Sequence, residues 1–199
     1  VFFFFFYFIS SLAHNKGIRN VFVTNGYMTA EALEMINPYL DAANVDLKAF
    51  TDKYYKELCG AGLKHVQATL KSMKSLGIFV EVTTLVVPGL NDNPSELSDL
   101  AAFIVQDLGP ETPWHISRFH PTYKLTDRPS TPIQTLTMAR EIGLKAGLKY
   151  VYTGNVPGNA AENTFCFSCS ETVIERRGFQ VRNLRLKNGR CTKCGAEID

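Results

Sequence analysis

No stretch of this 199-residue chain is apolar for long enough to cross a bilayer. The opening run VFFFFFYFISS is too short for a span, and it lacks both Met and the basic n-region of a signal peptide. A soluble, cytoplasmic protein is therefore expected, with no membrane partner. Strong charge of either sign is also missing, since 21 Lys and Arg face 19 Asp and Glu. The small excess is unevenly placed. Residues 166–199 hold seven Lys or Arg against four Asp or Glu, which leaves the rest of the chain at −1. A basic tail of this kind reads as weak nucleic-acid binding or as a solvated hairpin surface. The second is the simpler account, so nucleic acid is not an expected partner. Cysteine is scarce as well, with five in all and four of them in that same tail. Cys59 stands alone, as a small buried hydrophobe usually does.

What is present is an ordinary globular composition, 45% hydrophobic and 20% charged. One local pattern occurs three times, in NKGIRNVFVTNG (15–26), KSLGIFVEVTT (74–84) and KAGLKYVYTGN (145–155). Each has a basic residue in a helix's last turn, a capping Gly, and then a β-rich run. Helix starts are marked at Asn93-Pro94 with Glu96, and at Thr131-Pro132 with Gln134. Val66, Leu70, Met73 and Leu76 form an apolar stripe, which makes Met73 a core residue. The expected order is strand 2–9, helix 10–16, strand 20–24, helix 29–37, strand 44–48, helix 63–76, strand 78–87, helix 94–107, strand 114–119, helix 132–146 and strand 149–153. Alternation of this kind predicts parallel strands joined by crossovers, with chemistry at the strands' carboxyl ends. Polar residues gather there: Thr24, Asn25 and Gly26; Asp46 and Lys48; Thr83 and Thr84; His115, Arg118 and His120. They read as a ligand site or as local caps and ion pairs. The turn-rich VPGLNDNP (87–94) reads equally as a site loop or as a turn that re-aims the chain.

NVDLKAF (44–50) sharpens the question. In a strand, Val45 and Leu47 face one way while Asp46 and Lys48 face the other. The tail is more specific still. Cys166-x-x-Cys169 and Cys191-x-x-Cys194, 21 residues apart, are two metal knuckles flanking a strand–Gly–strand segment. Thirty-odd residues bury too little to fold unaided, so the metal must supply folding free energy. Zinc is favoured over iron, and a pair of disulfides would need an oxidising compartment.

VFVTNGY, NVDLKAF, TTLVVPGLND and WHISRFHP, in that order and followed by the four-cysteine tail, resemble the radical S-adenosylmethionine (SAM) enzymes. The likeness is to relatives of pyruvate formate-lyase activating enzyme, and to the radical SAM family of the AmmeMemoRadiSam system. It implies an α/β fold, a partial (β/α)6 barrel over 1–155, a linker over 156–165 and a zinc-ribbon-like module over 166–199. It also implies SAM and a [4Fe-4S] cluster as cofactors, with zinc in the tail. Thr24, Asn25 and Gly26 would approach the methionine moiety, Asp46 and Lys48 the ribose and carboxylate, and Leu85 and Val86 the adenine, with His120 closing the pocket. The implied partners are SAM, an electron donor such as flavodoxin or ferredoxin, and a substrate that includes proteins as one class. Lys48 can pair with the SAM carboxylate, and Asp46 can accept from its ammonium or hydroxyls.

The family's Cys-x-x-x-Cys-x-x-Cys motif and its Gly-Gly-Glu-like strand end do not occur in this sequence. The expectation is thus an enzyme truncated at its N-terminus, inactive as given, with an exposed parallel strand edge. A second reading is a non-catalytic metal-ribbon module that binds a protein or nucleic acid. A third is a Schiff-base lyase using Lys48, disfavoured because Asp46 would hold the amine protonated.

Overall fold

The computed structural model describes residues 2–178 and 180–198. Val1 and Asp199, the outer bounds of the expected domains, lie outside it. The chain forms two compact units, residues 1–84 and 85–199.

In the first unit, helix α1 (Phe2–His14) leads to strand β1 (Val21–Thr24), helix α2 (Ala30–Ile36) and strand β2 (Ala42–Asp46). A short helix α3 (Asp52–Tyr54) continues as a π turn, Tyr55–Cys59. Helix α4 (Leu63–Ser75) and strand β3 (Phe79–Val86) follow, with β3 running across the boundary. β1, β2 and β3 pair in parallel, with Thr24 opposite Val45 and Asp46 opposite Thr83. Val45, Leu47, Val80 and Val82 are buried on the strand side, and Val66, Leu70 and Met73 are buried on α4. Met73 is fully buried, as its place in the stripe requires.

The expected strand at 2–9 is overturned, because Phe2–His14 is one helix. An unbroken apolar run has no period that separates strand from helix. A helix satisfies its own backbone groups, whereas a strand needs a neighbour. Phe4, Phe5, Phe6 and Phe8 are exposed along it.

In the second unit, helix α5 (Pro94–Phe103) continues as a π turn, Ile104–Leu108. Strand β4 (Trp114–Arg118), helix α6 (Ile133–Ala146) and strand β5 (Val151–Gly154) follow, and β4 pairs with β5 in parallel. Gly143 of α6 lets the helix approach Trp114, since a Cβ there would lie 2.9 Å from the indole. The tail holds β6 (Thr164–Phe165), β7 (Thr172–Arg177) and β8 (Gln180–Asn183) in one antiparallel sheet. β9 (Leu186–Lys187) and β10 (Arg190–Cys191) form another. Asn93 caps α5 through its side chain, as expected. Thr131 does not cap α6, whose N-cap is Pro132. The buried Thr131 hydroxyl instead donates to Val86 O at 2.6 Å and accepts from Phe119 N. No helix among the described residues is long and apolar enough to cross a membrane.

Candidate functional site

In the first unit, the strand period places the charges. Val45, Leu47 and Ala49 are buried, while Asn44, Asp46 and Lys48 alternate onto the other face. There Lys48 Nζ lies 2.8 Å from Asp46 Oδ2, with both side chains well exposed at 40% and 37%. Such a pair contributes about 0.2–1 kcal/mol, so either partner can turn to a ligand at little cost. The same face carries two groups that the sequence reading passed over. Asn44 Nδ2 donates to Glu81 Oε2 at 3.2 Å, and Thr83 Oγ1 donates to Asn44 Oδ1 at 2.7 Å. Period two counted back from Asp46 and across IFVEVTT carries the signal for both. Thr84 is fully buried, and its hydroxyl donates to Leu47 O. It is a packing residue.

The Thr24-Asn25-Gly26 turn is held by its own side chains. Thr24 Oγ1 accepts from Gly26 N, and Asn25 Oδ1 accepts from Tyr27 N. Gly26 has φ +69°, and a Cβ on it would lie 2.7 Å from Val45 Cγ1. The turn is thereby pressed onto β2.

Behind Lys48 stands a third group that the sequence did not mark. Tyr55 Oη accepts from Lys48 N at 3.1 Å, and Tyr55 is buried in the π turn. Burial pushes its phenol up from 10.0 to about 12; the Lys48 N–H pulls the other way, and the fields of Cys59 and Asp46 add to the rise. The raised folded value implies stability that is fully present below pH 10 and lost as pH climbs towards 12. That loss amounts to roughly 3 kcal/mol. Tyr55→Phe should remove this share of the alkaline loss, as read by denaturant melts from pH 9 to 12. Cys59 is half-buried beside it, and burial raises its thiol while Lys48 opposes the rise.

In the second unit, Val86 is buried and Leu85 is partly exposed. Asn91 closes the VPGLND loop by accepting from Val87 N at 2.6 Å and donating to Leu85 O at 2.9 Å. His120 is exposed, with Nε2 3.5 Å from Asn155 O and Nδ1 3.3 Å from Ser130 Oγ. Arg118 Nε donates to Thr131 O. His115 stacks on Tyr152 at 5.1 Å, partway along β4 rather than at its end.

The four tail thiols are free, and their Sγ atoms all lie within 4.8 Å of one another. Cys166 and Cys194 are 3.5 Å apart, and Cys169 and Cys191 are 3.8 Å apart. A tetrahedral ion with bonds of about 2.3 Å to sulfur needs thiolates roughly 3.8 Å apart, so the set fits zinc or iron. Two matching knuckles present them. Ser170 N donates to Cys166 O, Gly195 N donates to Cys191 O, and both Ser170 and Gly195 have positive φ. The Ala196 backbone N–H holds the Cys194 thiol down at about 7.

Parallel strands with polar ends and a following four-cysteine module define a class, and comparison with known proteins agrees. The sequence profile of the Radical SAM superfamily matches residues 3–104. The chain belongs to the radical SAM superfamily. It is 48% identical over 201 residues to uncharacterized protein MJ0808 of Methanocaldococcus jannaschii, an alignment that covers 100% of this chain and 60% of that one. It is 28% identical over 99 residues to the isethionate sulfite-lyase activating enzyme of Nitratidesulfovibrio vulgaris, covering 49% of this chain and 32% of that one. The chain thus spans less than two thirds of either relative. Among solved structures, a domain of pyruvate-formate lyase-activating enzyme from Bacteroides vulgatus superposes with a TM-score of 0.67 at 13% identity. That superposition covers 77% of this chain and 91% of the domain, and it shows a shared fold.

Proposed function

We propose that the chain supplies SAM-binding residues of a radical SAM enzyme of the activating-enzyme kind. The observation that supports this most is the Asp46–Lys48 pair on the polar face of β2, at 2.8 Å and open to solvent. Lys48 would take the SAM carboxylate. Asp46, released from Lys48, would accept from the ammonium or the ribose hydroxyls. Tyr55 fixes the Lys48 backbone. Thr24, Asn25 and Gly26 would offer the turn to the methionine end. The resemblance gives Leu85 and Val86 to the adenine and His120 to the closing position.

SAM held at a [4Fe-4S] cluster is the family's source of a radical that abstracts hydrogen. The cysteines of residues 1–199 lack the family's cluster spacing, so no step through a cluster is assigned to them. A protein is the proposed substrate class, supported by a structural neighbour, Streptococcus suis SuiB, whose structure was solved bound to precursor peptide SuiA. Zinc is the proposed metal of the four-cysteine group, with a flavodoxin or ferredoxin as electron donor.

Calorimetry tests the reading. SAM should bind the 199-residue chain, and Lys48→Met and Asp46→Asn should each weaken it about tenfold or more, as loss of a charge-assisted contact does. Binding unchanged by both substitutions, or no binding at all, would leave the metal-module reading in its place.

A further inference from the structure

We propose that a hollow beside the metal module, remote in sequence from the strand-end residues above, is a binding site for a small phosphate monoester. The hollow lies within the second unit, has a volume of about 520 Å³, and is bounded by α6, β5 and the first cysteine knuckle. That volume suits a small molecule with one ring. Two cations line it, Arg140 and Lys149, and no Asp or Glu among the described residues does.

Both cations are laid on aromatic walls. The Arg140 guanidinium is 5.8 Å from the Phe165 ring centroid, and Lys149 Nζ is 4.7 Å from that of Phe167. Arg140 Nε donates to Val151 O at 3.1 Å, which fixes the plane of the fork and leaves the two Nη groups to act elsewhere. Arg140 is half-buried, yet it makes no ion pair among the described residues. Burial pulls its guanidinium down from the ordinary value, and the field of the neighbouring Glu141 opposes this by less. Burying a cation carries a desolvation cost, and an incoming anion offsets part of it. Two cations favour a dianion, and a planar guanidinium matches phosphate oxygens in pairs. Leu144 and the rings of Phe165 and Tyr150 would cover the apolar body of the ester.

The test is calorimetric titration of the full metal-loaded chain at low salt with phenyl phosphate, and with benzoate as the monoanion of similar size. Phenyl phosphate should bind at least tenfold more tightly than benzoate and weaken as salt is raised. Arg140→Met and Lys149→Met should each weaken it about tenfold, with metal content and melting temperature unchanged. Should Arg140→Met disturb folding, Lys149→Met on the neighbouring segment decides alone. No binding of phenyl phosphate, equal binding of benzoate, or indifference to the Lys149 substitution would overturn the proposal.

Discussion

Gly26→Ala should destabilise the first unit by about 3 kcal/mol, whereas Gly77→Ala should cost about 1 kcal/mol. Both glycines have positive φ, +69° and +79°, so both substitutions carry the left-handed backbone penalty. They differ in surroundings. A Cβ at Gly26 meets Val45 Cγ1 at 2.7 Å and Val66 Cγ1 at 3.1 Å, both in the buried core. A Cβ at Gly77 meets nothing within 4 Å. Neither valine can yield easily, because Val45 sits in β2, which is paired on both sides by β1 and β3, and Val66 sits in α4. Urea melts of the two variants against the parent chain measure the difference. Equal costs would mean that the Thr-Asn-Gly turn is not pressed onto β2.

Cys191→Ser should abolish binding of one metal ion per chain, and with it the order of residues 166–198. Structural zinc supplies about 10–16 kcal/mol to small thiolate modules, far more than so short a segment gains by burial. The module's apolar cluster is small, with Val173, Ile198, Cys166 and Cys191 packed at Tyr150. Two of its five buried members therefore belong to the four-cysteine group. Amide exchange should show protection lost across β7 and β8 in the variant and in chelated parent protein, while β2 and β4 stay protected. Retained protection after complete chelation would mean that the module folds on side-chain packing alone. Metal analysis of the parent protein distinguishes zinc from iron.

How much of this could be read beforehand depends on the range of the interaction. Asp46 and Lys48 were legible because a strand's period is local, and the four-cysteine group because its ligand spacing is rigid. The N-terminal run misled because seven aromatic residues in a row carry no period. Thr131 misled for a different reason. Thr-Pro before a helix is a good cap signal, but Val86 O and Phe119 N, 45 and 12 residues away, compete for its hydroxyl. Tyr55 was invisible because its contact with Lys48 N depends on a π turn. Glu81 and Asn44 lie within reach of period-two counting, but they sit inside β3 and β2 and not at the strand ends where a parallel sheet places its chemistry.

The Asp46–Lys48 pair is the centre of the account, and a crystal structure of the chain soaked with SAM addresses it most directly. The ligand's carboxylate should lie within about 3 Å of Lys48 Nζ, with the bond to Asp46 exchanged for the ligand. A SAM molecule bound elsewhere, with Lys48 still held by Asp46, would contradict it.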